Sequence, residues 1–107
     1  MGISSLLVET LHEQARILLN AGDTIGSGKL LTRAMAIARR NDMTLRLNSL
    51  MTLYSSILLA RNRIGSARRL LESAMVMAKR SGFSLEVVRI HEVMAEADAI
   101  QPDVSDV

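Results

Sequence analysis

At 107 residues, with 49 % apolar residues, 22 % charged residues and one Pro, the chain has room for one small core that buries roughly 60–70 % of its unfolded surface, in a soluble globular domain. No stretch of eighteen residues is free of charge, which excludes a membrane-spanning helix. The net charge of +2 conceals an uneven layout: all thirteen Lys and Arg lie between Arg16 and Arg89, against four acids there, and the other seven acids sit at the two ends. A basic middle of this kind attracts an acidic partner. There is no Cys, which is compatible with any compartment, and the opening "ISSLLVETLH" has neither the apolar length nor the basic flank of a signal peptide. An intracellular protein, cytoplasmic or nuclear, is the expectation.

In chain order, Leu7, Leu11, Ala15 and Leu18 fall at i, i+4, i+8 and i+11 and predict a first amphipathic helix. It ends at the polar break Asn20-Ala21-Gly22-Asp23. The next stretch, "GDTIGSGKLLT", looks at first sight like a nucleotide-binding loop. Such a loop needs Gly, four residues, then Gly-Lys-Ser/Thr, because glycine amides wrap the phosphates and the hydroxyl takes the metal. Here Gly28-Lys29 runs into Leu30, and Asp23 stands where the first Gly belongs. The stretch is therefore the turn and start of a second helix, whose inward stripe is Leu31, Ala34 or Met35, and Ala38. Arg39-Arg40 fall in its last turn, Asn41-Asp42 close it, and Thr44 is placed to cap a third helix. Leu47, Leu50 or Met51, Tyr54 and Leu58 give that helix the stripe of the first. After Arg61-Asn62-Arg63 a fourth helix carries Leu71, Ala74 or Met75, and Ala78, ends in Lys79-Arg80, and is closed by Ser81-Gly82. Ser84 is placed to cap a fifth, from about Ser84 to Ala99, with Val87, Ile90, Met94 and Ala97 on one face and Arg89, Glu92 and Glu96 on the other. Pro102 ends it, so residues 1–101 form a single helical-repeat domain and 102–107 an acidic flexible tail.

These elements are copies of one unit. Ile17-Leu18-Leu19 recurs forty residues on as Ile57-Leu58-Leu59, and the same offset matches Leu30-Leu31 with Leu70-Leu71, Ala34-Met35 with Ala74-Met75, Ala38 with Ala78 and Arg40 with Arg80. The fifth helix aligns as the first helix of a third, unfinished unit. The expected fold is all-α: antiparallel helix-turn-helix repeats in an α-solenoid of about two and a half units. Small residues at Ser27, Ala34, Ala38 and at Ala67, Ala74, Ala78 let the helices of a unit approach closely. Met35, Met43, Met51, Met75, Met77 and Met94 are expected to fill the core. Apolar end faces are expected at Leu6 and Val8 and at Val88 and Val93, inviting self-association or docking on a larger neighbour.

With a small residue at Ser27/Ala67, a large apolar one at Leu31/Leu71 and Ala at Ala34/Ala74, the second helices resemble those of tetratricopeptide repeats, and Gly22-Asp23 is similar to that family's inter-helix turn. The resemblance covers residues 5–99. The period of forty residues departs from that family's thirty-four or so, as do the missing early Trp or Tyr and the missing closing Pro. The spacing and the "LLxxAMxxA" helix are similar to repeats in subunit five of the anaphase-promoting complex and in bacterial regulators of the maltose-activator type. The resemblance implies a superhelix that binds a peptide or protein in a groove lined by its first helices. Position by position, that groove would present Glu9, His12, Arg16 and Asn20, then Ser49, Thr52 and Ser56, then Arg89, Glu92 and Glu96.

His12 and His91 are the only histidines, and neither has a carboxylate at helical ligand spacing on both sides, so surface or packing roles are expected and no metal or cofactor is. No loop is long enough to assemble a catalytic triad, and an enzyme is not expected. Arg39, Arg40, Lys79 and Arg80 form a basic edge, read first as cations that oppose the helix dipole, next as contacts for an acidic protein, and least as nucleic-acid contacts, since two aromatic residues offer little for bases to stack on. The expected function is a protein-protein interaction or scaffold module binding a peptide or helix in the groove. The alternatives are a self-assembling structural module, as homo-oligomer or part of a larger complex, and a basic-edge binder of acidic protein or nucleic acid.

Overall fold

Periodic apolar stripes bounded by polar breaks become helices along the whole chain. The computed structural model describes residues 2–102. Its five helices are α1 (Gly2–Asn20), α2 (Thr24–Arg40), α3 (Thr44–Ala60), α4 (Ile64–Ser81) and α5 (Ser84–Ile100), and there is no strand among the described residues. The all-α class and the helix count agree with the sequence reading, and α5 runs one residue further than expected. Pro102 follows it without regular structure; the rest of the expected acidic tail lies outside the described residues.

The turns share one construction. Gly22, Asp42, Asn62 and Gly82 have φ of 89, 53, 60 and 74°, and the next residue's amide reaches back to a carbonyl five positions earlier: Asp23 to Leu18, Met43 to Ala38, Arg63 to Leu58 and Phe83 to Ala78, at 2.8–2.9 Å. A left-handed residue followed by this bond closes a helix and reverses the chain within two or three residues. The same geometry overturns the expected caps. Thr44 and Ser84 are first helical residues; Met43 and Phe83 hold the cap positions and make no side-chain cap bond. Both are instead partly buried against the core, because the residue after the left-handed one is carried toward the helix it has just left. Asp23 is a side-chain cap: its Oδ1 accepts from the Gly26 amide at 2.8 Å.

Consecutive helices pack on one another, α3 also approaches α1 and α5, and the backbones of α2 and α4 do not come close. This makes two layers, α1/α3/α5 and α2/α4, in a body of 49 × 33 × 19 Å. Ser27, Ala34, Ala38, Ala67, Ala74 and Ala78 are all fully buried, where large side chains would hold the helices apart. Ser27 Oγ donates across to the Ala15 carbonyl at 2.8 Å. In the second unit the small pair is exchanged, Ser55 and Ala67, and the Ser55 hydroxyl donates within its own helix to Met51. Leu31, Leu50, Ile57, Leu71 and Ile90 fill the centre. Met35, Met51 and Met75 are buried, and Met43, Met77 and Met94 are partly buried against the same cluster. Asn48 takes the fully buried place that Val8 holds in the first unit; its Nδ2 donates to the Ala74 carbonyl at 2.8 Å and its Oδ1 has no partner.

Two of the four expected end-face residues are elsewhere. Val8 is fully buried, since it shares with Leu11 and Ala15 the side of α1 that α2 covers. Val93 is half-buried and lines the groove described below. Leu6 and Val88 remain exposed, and Leu85 joins Val88 on α5.

Candidate functional site

Helices related by a forty-residue repeat and packed side by side bring equivalent positions into rows. Across α1, α3 and α5 these rows are Glu9, Ser49, Arg89, then His12, Thr52, Glu92, then Arg16, Ser56, Glu96. A cavity of about 480 Å³ opens there, lined by His12, Arg16, Ser49, Thr52, Leu53, Ser56, Arg89, Glu92, Val93 and Glu96. Eight of the ten groove residues named from the sequence are thus brought together. Glu9 and Asn20 do not line the cavity. Asn20 is the exposed last residue of α1, a turn beyond Arg16, and Glu9 is drawn aside by Arg46, whose Nη2 lies 2.7 Å from its Oε1.

Arg46 and Glu86 are the residues that sequence reasoning missed. Glu86 Oε2 accepts from Ser49 Oγ at 2.9 Å, and this contact is the Arg46–Glu9 contact moved on by one unit, each spanning thirty-seven residues. The two polar links tie α1 to α3 and α3 to α5 beside the groove. The signal was present in the repeat register, because Leu6, Arg46 and Glu86 occupy equivalent positions and two of them carry charge.

The floor is neutral and the walls are charged. Ser49 donates to Glu86 and Thr52 to the Asn48 carbonyl, leaving their oxygen lone pairs as acceptors. Arg16 pairs with Glu13 at 3.2 Å with both side chains about half exposed, a pairing worth little in water. Arg89, Glu92 and Glu96 have no ion-pair partner among the described residues. His12 is 9 % exposed. Burial lowers its pKa from the ordinary 6.5, and the charges of Arg16, Arg46 and Arg89 push the same way against Glu13. The imidazole is neutral at pH 7, able to donate from one nitrogen and accept at the other.

The basic edge lies apart from this groove. Arg39, Arg40, Lys79 and Arg80 are exposed in the last turns of α2 and α4. They belong to a wider asymmetry: α2 and α4 carry eight Lys/Arg and one acid, Glu72, while α1, α3 and α5 carry three Arg and six acids. One layer is therefore strongly positive and the other mildly negative. Among the described residues no three His, Cys, Asp or Glu come together as metal ligands would, and no helix is long and apolar enough to cross a membrane. Compared with family models, with curated proteins and with solved structures, the chain matches none.

Proposed function

We propose that this chain is a tetratricopeptide-like interaction module, a binding element rather than an enzyme, that holds a peptide or helix of a partner protein in the groove of α1, α3 and α5. The observation that supports this most directly is the arrangement of the rows. A neutral floor of Ser49, Thr52 and Ser56 lies between a wall carrying Arg16 and a wall carrying Arg89, Glu92 and Glu96, in one cavity. Arg89, Glu92 and Glu96, which have no ion-pair partner among the described residues, and Arg16, held only by an exposed pair with Glu13, are satisfied by a segment that brings charges of both signs, and the hydroxyl lone pairs accept from its donors. Peptides selected from a displayed random library on the full chain test the reading. Arg16→Glu and Glu92→Lys should each weaken the selected peptides at least tenfold with unchanged helicity by circular dichroism; undiminished binding to both variants would sink the proposal.

A second reading is self-assembly through α5. Leu85 and Val88 are 66 % and 55 % exposed and one turn apart, on a helix that has no following helix packed against it among the described residues.

A further inference from the structure

A second cavity, of about 500 Å³, opens beside α2 and is lined by Ile25, Gly28, Lys29, Thr32, Tyr54 and Arg61. The repeat supplies an internal comparison for it. Forty residues on, Gly28, Thr32 and Tyr54 become Arg68, Glu72 and Met94, which with Asp98 line a cavity of about 200 Å³. Arg68 reaches along it: Nη1 donates to Asp98 Oδ1 at 2.6 Å and Nη2 to the Gln101 carbonyl. The second unit thus occupies this place with a side chain of its own. In the first unit the arm is missing and its carboxylate receptor is gone, since Leu58 replaces Asp98; the main-chain carbonyl at Arg61 belongs to a closing turn with ψ 10°, where Gln101 is extended with ψ 105°.

Packing does not require the missing arm. A β-carbon at Gly28 would meet Tyr54 Cε1 at 3.8 Å, an ordinary contact, while Gly inside a helix costs about 0.5–1 kcal/mol. What Gly28 does is leave the cavity open over Tyr54. The polarity of the place is inverted as well: the half-buried Tyr54 is its most covered large side chain, and the exposed Ile25, Lys29 and Arg61 line it beside that ring, one apolar and two cationic. It opens beside the strongly positive layer.

We propose that this furrow is a binding site for an acidic segment of a partner protein, with an apolar side chain of that segment seated over Tyr54 and its carboxylates on Lys29 and Arg61. An apolar body flanked by carboxylates complements an aromatic ring flanked by cations, and the α2/α4 layer draws such a segment in. A nucleic acid would use the charge and leave the ring unused, because a single partly covered Tyr is a poor platform for stacked bases. The site is separate from the groove of α1, α3 and α5 and does not depend on it.

The test is fluorescence anisotropy with the full chain at low salt and three labelled probes: a short Glu/Ser peptide, a peptide of equal charge with Leu at its centre, and a short DNA duplex. The Leu peptide should bind about tenfold more tightly than the Glu/Ser peptide, the effect of burying roughly one apolar side chain. Gly28→Leu fills the furrow while improving helix propensity, and should erase that advantage without altering the charge-driven part. Ile25→Ser, at an exposed position, should reduce it. Lys29→Glu combined with Arg61→Glu should weaken both peptides. Equal binding of the two peptides, a Leu advantage that survives Gly28→Leu, tighter binding of the duplex than of either peptide, or no binding of any probe would each overturn the proposal.

Discussion

A β-carbon at Gly26 would lie 2.3 Å from Asp23 Oδ2, so the stretch that looks like a phosphate loop is shaped at that glycine by its own helix cap. Gly28, two residues on, has no such constraint, and its lack of a side chain is what keeps the furrow open. The sequence alone showed that this was no P-loop, through Leu30 and Asp23, but it could not assign the glycines, because their neighbours depend on which helix packs where. His12 shows the same limit. Its groove position came with the repeat resemblance, but its burial and the guanidinium groups pressing on it from three helices did not. An unfolded His titrates near pH 6.5, and in the folded chain the value is lower. As pH falls below 6.5 the unfolded state therefore takes up a proton before the folded state does, and stability drops. Thermal melts between pH 7 and pH 5 should show the wild-type Tm falling more steeply than that of His12→Gln; parallel curves would mean that burial of the imidazole is not felt.

At the scale of elements, the helices were legible and their joints only partly so. Stripes such as Leu31, Ala34 and Ala38 read directly as buried faces, since helical periodicity is a property of local sequence. Thr44 and Ser84 looked like caps because their side chains can cap, but the turn closes through backbone bonds and sends Met43 and Phe83 into the core. Each such turn depends on one left-handed residue, and at Asp42 and Asn62 that residue carries a β-carbon that crowds the carbonyl following it. Asp42→Gly and Asn62→Gly should each raise stability by roughly 0.5–1 kcal/mol, a few degrees of Tm, whereas Gly82→Ala should lose about 1 kcal/mol. Melting curves of the three variants check both directions.

For the molecule as a whole, the forty-residue offset revealed the architecture, because stacked copies must repeat their buried positions. The charge layout was legible only as a basic middle with acidic ends. Folding sorts it differently, with the cations gathered on α2 and α4 and the acids on α1 and α5. The end faces were half legible: Leu6 and Val88 are exposed, and Val8 is not, because α2 rather than a neighbouring unit covers it. If α5 mediates assembly, sedimentation of the wild-type chain should show mass rising with concentration, and Val88→Glu should leave a folded monomer. A wild-type chain that stays monomeric at high concentration would remove the assembly reading and leave the groove and the furrow as the surfaces to probe.

The left-handed residues at 22, 42, 62 and 82 fall at intervals of twenty, half the repeat, so every helix and turn together occupy the same length of chain. Any block of forty residues cut from one of these positions to the next but one begins and ends on an equivalent joint. A tandem duplication of residues 43–82, inserted after Gly82, would present α5 with the same α4 surface on which it already packs and would need no new turn. Such a gene could be lengthened or shortened by recombination without redesigning its connections, so the side chains on successive units can diverge, as those of the groove rows and the Gly28/Arg68 positions have, while the backbone that carries them stays the same.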